Sequence, residues 1–175
     1  TLYRVLRQEV DGDMQGGVVR IPIKLNSSAM RARFHSDGSL YVTGFRGWQT
    51  NAATQQALHR IRYTGKELSL PDKLEATDKG IYIRFEKRLD AASVSDRFNF
   101  NLERWKYIRS SQYGSGEYSI DKPDLEAEKQ ATLQESQSHR KHDKVDISQS
   151  QLLPDGKTIF LRIPDMKPAE QMSIR

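Results

Sequence analysis

Between Arg31 and Thr50 the chain reads Arg-Ala-Arg-Phe-His-Ser-Asp-Gly-Ser-Leu-Tyr-Val-Thr-Gly-Phe-Arg-Gly-Trp-Gln-Thr, and that pattern constrains the fold more than any other stretch. Met30, Ala32 and Phe34 alternate with Arg31, Arg33 and His35, the period of a strand with one apolar face. Asp37-Gly38 then supplies two residues that tolerate positive φ, so the chain reverses into Leu40-Tyr41-Val42-Thr43 as a β-hairpin. The second strand runs into Gly44-Phe45-Arg46-Gly47-Trp48, where glycines flanking bulky residues predict a bend with Trp48 folded over an edge.

The same period recurs along the chain. Leu2, Arg4 and Leu6 alternate with Tyr3, Val5 and Arg7; Asp11-Gly12-Asp13 and Gly16-Gly17 then predict a loop. A strand follows with Val19, Ile21, Ile23 and Leu25 opposite Arg20, Pro22 and Lys24, and Pro22, which has no N–H for a ladder, places it at an edge or a bulge. Asn51 to Ala57 is a polar connection with room for one helical turn, and His59 to Tyr63 alternates again before Thr64-Gly65. Beyond Leu70-Pro71, strands are expected around Ile81, Ile83 and Phe85, around Phe98, Phe100 and Leu102, and at Val145 and Ile147. Pro154-Asp155-Gly156 is a turn into a last strand, Thr158 to Ile163. Between them lies a polar insertion over about 107–144, in which Asp124 to Lys144 reads as an exposed loop or a short surface helix. The expected class is all-β: residues 1–65 form terminal propeller-blade-like antiparallel strands, and residues 66–175 form an Ig-like or fibronectin-like β-sandwich carrying the insertion.

Composition narrows the function classes. The 175 residues contain no cysteine, which excludes disulfides, thiolate metal sites, iron–sulfur clusters and covalent haem attachment within this chain. No apolar run approaches the roughly 20 residues that span a bilayer, so no membrane insertion is expected, and no signal peptide is evident. The chain opens on Thr1, as expected of a processed or excised piece of something longer. The net charge of +5 is uneven: residues 1–65 hold nine Lys/Arg against four Asp/Glu, and the remainder holds nineteen of each. Any anionic partner is therefore expected on the first part. No phosphate loop, dinucleotide fingerprint or nucleic-acid motif accompanies the basic pI, so no nucleic-acid partner is expected.

The candidate ligand-binding residues follow from that charge. Arg20 with Lys24, Arg31 with Arg33 and His35, and Arg60 with Arg62 occupy alternate positions, so each set projects from one side of its strand. If the strands are neighbours, the guanidinium groups form one patch that suits carboxylates, sulfates or an acidic partner domain, because the planar fork binds planar oxyanions in bidentate fashion. A solvated face is the alternative. Trp48, Trp105, Tyr107 and Tyr113 are aromatic candidates for stacking on sugar rings, with packing as the alternative. His139 and His142, with Asp143 and Asp146, have a spacing that would put two imidazoles on one side of a helix, a weak metal pattern, and no metal site is expected. Gly114-Ser115-Gly116 does not match a nucleophile elbow, and no catalytic residue is assigned.

Several segments together resemble a known family: Gly-Gly-Val-Val-Arg-Ile-Pro, Met-Arg-Ala-Arg-Phe, Asp-Gly-Ser-Leu-Tyr-Val-Thr-Gly-Phe-Arg-Gly-Trp-Gln-Thr-Asn, His-Arg-Ile-Arg-Tyr-Thr-Gly-Lys, Leu-Asp-Ala-Ala-Ser and Asp-Gly-Lys-Thr-Ile-Phe-Leu-Arg-Ile-Pro-Asp. Trp-Lys-Tyr with Tyr-Gly-Ser belongs to the same set. They are similar to the C-terminal region of large secreted bacterial proteins that join a sorbosone/glucose-dehydrogenase-like β-propeller to c-type cytochrome modules. The resemblance implies that residues up to about Gly65 finish the propeller, that the sandwich follows it, and that the protein is periplasmic or secreted. The Cys-X-X-Cys-His signature of haem attachment is missing, so no cofactor is assigned to this chain, and haem c belongs elsewhere in a parent protein. The expected function is a non-catalytic accessory or docking module for other domains of that parent. The alternatives are a carbohydrate-binding module for acidic polysaccharide and a fragment of a quinone- or haem-linked sugar dehydrogenase.

Overall fold

The structure, a computed structural model, describes residues 1–47 and 52–175. The protein is all-β: the described residues form twelve strands, two short helices and several antiparallel sheets, none closed into a barrel. The chain divides into two compact units, one comprising Thr1–Leu74 with Arg84–Lys87, the other Glu75–Ile83 with Arg88–Arg175.

In the first unit, strands β1 (Tyr3–Val10) and β2 (Asp13–Arg20) form a two-stranded hairpin. Its turn is Asp11-Gly12, with φ of 52° and 88°, positive at both central residues as the tightest hairpin turns require. That turn alone reverses the chain, so pairing continues through Gly16 and Gly17, opposite Arg7 and Leu6, where the sequence pattern predicted a loop. The strand expected to reach Leu25 ends at Arg20. Pro22 brings no N–H, and Ile23 N–H turns back to the Ile21 carbonyl at 2.8 Å, a γ-type turn that leaves the ladder.

A second sheet has the order β3 (Arg31–Phe34), β4 (Leu40–Phe45), β5 (Gln56–Ile61). The predicted hairpin is present. Asp37 accepts Ser39 N–H at 2.8 Å, Gly38 has φ of 79°, and His35 N–H meets the Ser39 carbonyl at 2.8 Å. Arg31 then faces Thr43, and Phe34 faces Leu40. Gln56 and Ala57, at the end of the expected helical turn, open β5. Asn51 and the bend residue Trp48 lie outside the described residues.

Strands β6 (Pro71–Thr77) and β7 (Gly80–Phe85) carry the chain from one unit into the other. In the second unit, β8 (Leu102–Trp105) is the centre of a three-stranded sheet with β9 (Asp143–Val145) and β12 (Gln171–Ile174). Strands β10 (Gln149–Leu152) and β11 (Thr158–Arg162) continue the sheet order β10-β11-β7-β6. The expected turn between β10 and β11 is held by Asp155, whose carboxylate accepts Lys157 N–H, Thr158 N–H and the Thr158 hydroxyl.

The strand expected at Phe98 is a 3₁₀ turn, Arg97–Asn99. Asp96 caps it by accepting Phe98 N–H at 3.0 Å, a local alternative to strand pairing that period-two counting misses. The polar insertion is less solvated than its composition implies. It pairs Lys106 with Tyr118 and folds Leu125–Ala131 into a helix, α2, that follows the short α1 (Ala91–Ser95). Tyr118 and Ala131 are both buried.

Hydrophobic burial is unequal. Among the described residues, the buried apolar side chains of the first unit are Leu6 and Val42, and twelve others belong to the second. Each fully buried aliphatic side chain contributes about 1.5–3 kcal/mol, so the second unit holds most of the core energy.

Candidate functional site

Antiparallel partners that sit directly opposite share a face of the sheet, and the registers of β3, β4 and β5 therefore place each side chain. Arg33 faces Tyr41, and Tyr41 faces Arg60, giving one row across three strands. The next row is Arg31, Thr43 and Leu58, followed by Phe45 opposite Gln56. This face is exposed: Leu58 retains 67% and Phe45 51% of its surface. The opposite face carries Val42, which is 1% exposed. Strands lie about 4.8 Å apart, so the Arg33 and Arg60 backbones flank Tyr41 at about 10 Å from each other.

The two arginines beside Tyr41 differ. Arg60 is held: Nη2 donates to Asp37 Oδ2 at 2.7 Å, Nε to Ser39 Oγ at 3.1 Å, and its guanidinium carbon lies 5.9 Å from the Tyr41 ring centre. His35 meets the same ring edge-on at 6.0 Å. The Asp37 carboxyl is lowered to about 2, first by the Ser39 backbone N–H and further by Arg60, so it is charged throughout the neutral range. Among the described residues Arg33 has no ion pair, and Arg31 bonds only the Met30 carbonyl, at 2.9 Å. Arg62 follows β5 with no acid beside it among the described residues. The face thus joins uncompensated guanidinium groups to one that is fixed in place.

Not every expected residue joins it. Arg20 is the last residue of β2, opposite Tyr3 in the separate two-stranded sheet, and Lys24 is exposed in the segment after it. The aromatic candidates are on the other unit, or outside the described residues in the case of Trp48. Trp105 lies on β8, stacked on His142 with ring centres 4.1 Å apart. Tyr107 donates its backbone N–H to Glu170 at 2.5 Å, and Tyr113 is 79% exposed in a loop. Tyr41 and Leu58 escaped the sequence reading, although pairing across Asp37-Gly38 already sets Tyr41 opposite Arg33.

The second unit concentrates charge inside. Arg104 is 1% exposed, and its Nη2 donates to Asp121 Oδ1 at 2.7 Å, to Asp121 Oδ2 at 2.9 Å and to Asp165 Oδ2 at 2.7 Å. Lys167 bridges the same two carboxylates at 2.8 and 3.0 Å. The Asp143 carboxylate accepts from Ser119 Oγ at 2.5 Å and from the backbone N–H groups of Ile120 and Asp121 at 2.6 and 2.9 Å. These contacts tie loops to β8 and β9.

His139 and His142 are not on a helix. His139 stacks on Tyr118 at 4.3 Å, whereas His142 lies between Glu103, 3.2 Å from Nδ1, and Glu117, 2.5 Å from Nε2. Two acceptor carboxylates call for a proton on both ring nitrogens. Burial alone would lower the pKa of His142, but Glu117 and Glu103 outweigh it and raise it. Among the described residues no group of three or more His, Asp or Glu is placed to hold a metal, and no helix is long and apolar enough to cross a membrane.

Comparison with protein-family models, with curated proteins and with solved structures finds no match to this chain.

Proposed function

We propose that the chain is a non-catalytic accessory module that docks an acidic polysaccharide on the exposed face of β3–β4–β5, with its first unit as a propeller-blade-like sheet and its second as an Ig-like sandwich of a periplasmic or secreted protein. The observation that carries this reading is the row Arg33–Tyr41–Arg60 with Arg31 in the adjacent row. Guanidinium groups at strand spacing meet successive carboxylates or sulfates along a linear polymer. Tyr41, Leu58 and Phe45 give the polymer apolar surface between the charges, and Asp37 holds Arg60 without cancelling its neighbours. The charge balance supports the same partner, because the whole positive excess lies within residues 1–65.

Affinity electrophoresis through gels containing sulfated or uronic polysaccharide tests the proposal. Low-salt retardation of the wild-type chain is expected, weakened by added salt and lost in the Arg31→Ala/Arg33→Ala variant. No retardation of the wild type, or equal retardation of the variant, would refute it.

A further inference from the structure

A groove of about 190 Å³ opens on the second unit beside the 3₁₀ turn. Leu102, Val145 and Ile147, among its lining residues, are buried, at 1%, 5% and 6% exposure. Phe98, 81% exposed, also lines it, on a turn whose backbone is tied down. Its N–H donates to Asp96, Asn99 donates its side-chain amide to the Ser93 carbonyl at 2.8 Å, and Phe100 N–H closes the turn on the Arg97 carbonyl at 3.2 Å. Arg97 covers the ring at 4.8 Å and is itself fixed by donating Nη1 to the Ile147 carbonyl at 2.8 Å. The groove thus carries an exposed aromatic ring with a fixed guanidinium against it, a flat apolar surface beside a charge.

The rim adds polar chemistry. Lys144 and Asp146, two residues apart, also line the groove. Glu103, the cross-strand neighbour of Lys144, is turned to His142 instead. Among the described residues neither Lys144 nor Asp146 has an ion-pair partner. Two cations and one carboxylate therefore line the groove together with one aromatic ring, and the volume lies below the ~300 Å³ of pockets that enclose drug-sized ligands. That fits a single ring.

We infer that this groove is a subsite for one pyranose bearing a carboxylate, a uronic acid residue. The C–H face of the sugar lies on Phe98, the carboxylate sits between Arg97 and Lys144, and a sugar hydroxyl donates to Asp146. The inference stands on the second unit alone and does not depend on the arginine face.

The test is amide NMR titration of the intact chain with glucuronate, galacturonate, glucose and acetate. Glucuronate or galacturonate is expected to shift the Arg97, Phe98 and Lys144 amides saturably, with glucose and acetate weaker. Phe98→Ala, at an exposed ring, is expected to weaken binding about tenfold, Phe98→Trp to retain it, and Lys144→Ala to weaken it about fivefold. The Arg97, Phe98 and Lys144 shifts are followed separately from those of the Arg31 and Arg33 amides, which separates this site from the polysaccharide face. Acetate shifting the same amides as strongly as uronate, unaltered binding by Phe98→Ala, or no uronate shift would each overturn it.

Discussion

Arg104→Ala removes the one cation that lies wholly inside the second unit. Three carboxylate contacts at 2.7, 2.9 and 2.7 Å and a bond to the Asp165 carbonyl at 2.5 Å disappear together. Charged hydrogen bonds are worth about 1.5–3 kcal/mol each, yet the loss does not reach their sum, because the carboxylates recover water. Asp121 is already 27% exposed, Asp165 64% exposed, and Lys167 stays beside both. The expected destabilisation is about 3 kcal/mol, the lower end of the range for breaking a buried pair. Arg104→Met refills most of the volume and is expected to cost about 1 kcal/mol less. Urea unfolding followed by Trp105 fluorescence measures both, the alanine midpoint falling by about 2 M for a domain of this size. The acid limb gives a second reading. Lys167 and then Arg104 lower the Asp121 carboxyl, and Arg104 leads in lowering that of Asp165. Their contribution is complete above the ordinary carboxylate range and is lost as pH falls through the lowered values, so Arg104→Ala should flatten that acid loss. An alanine variant losing less than about 1 kcal/mol, or keeping the wild-type acid limb, would refute the assignment of a buried ionic tie.

Other consequences are equally direct. Because the His142 pKa is raised, its contribution is complete below the ordinary histidine range and is lost as pH rises through the raised value; a melting temperature that falls across that window in the wild type and stays level in His142→Gln is expected. Gly44→Ala places a Cβ 1.3 Å from the Ser28 carbonyl oxygen, a clash with backbone expected to cost about 3 kcal/mol or more and to deprotect Met30 N–H, which bonds Thr43 at 2.9 Å, in hydrogen exchange. Asp37→Asn removes the acid that compensates Arg60, so polysaccharide retardation at low salt is expected to increase, with the change disappearing at high salt.

What could be read from the sequence was whatever local chemistry decides. The Arg31 to Thr43 hairpin was legible because Asp37-Gly38 fixes both the reversal and the register, and the turn at Asp155-Gly156 was legible for the same reason. Phe98 was misplaced because Phe98, Phe100 and Leu102 do alternate, and alternation carries no trace of Asp96 reaching over to cap Phe98 N–H. Arg20 and Lys24 fell outside the basic face because strand neighbourhood is set by long-range pairing: β2 takes β1, and Pro22 ends it before a further strand can form. His139 and His142 are separated for a similar reason, each stacking on a ring more than twenty residues earlier in the chain.

The division of labour between the units follows from where charge is buried. In the second unit the balanced complement of acids and bases is partly turned inward, with Arg104, Asp143 and His142 joined to partners that close loops onto β8 and β9. Such charges are costly to remove and unavailable to a ligand. In the first unit Arg31, Arg33 and Arg60 lie on a sheet face opposite Val42, and of these only Arg60 has an acid beside it among the described residues. Arg31 and Arg33 add no fold energy through ion pairs, so substituting them should leave the hairpin standing while changing its affinity for polyanions. A face whose charges can be removed without unfolding the sheet is the arrangement expected when those charges serve recognition.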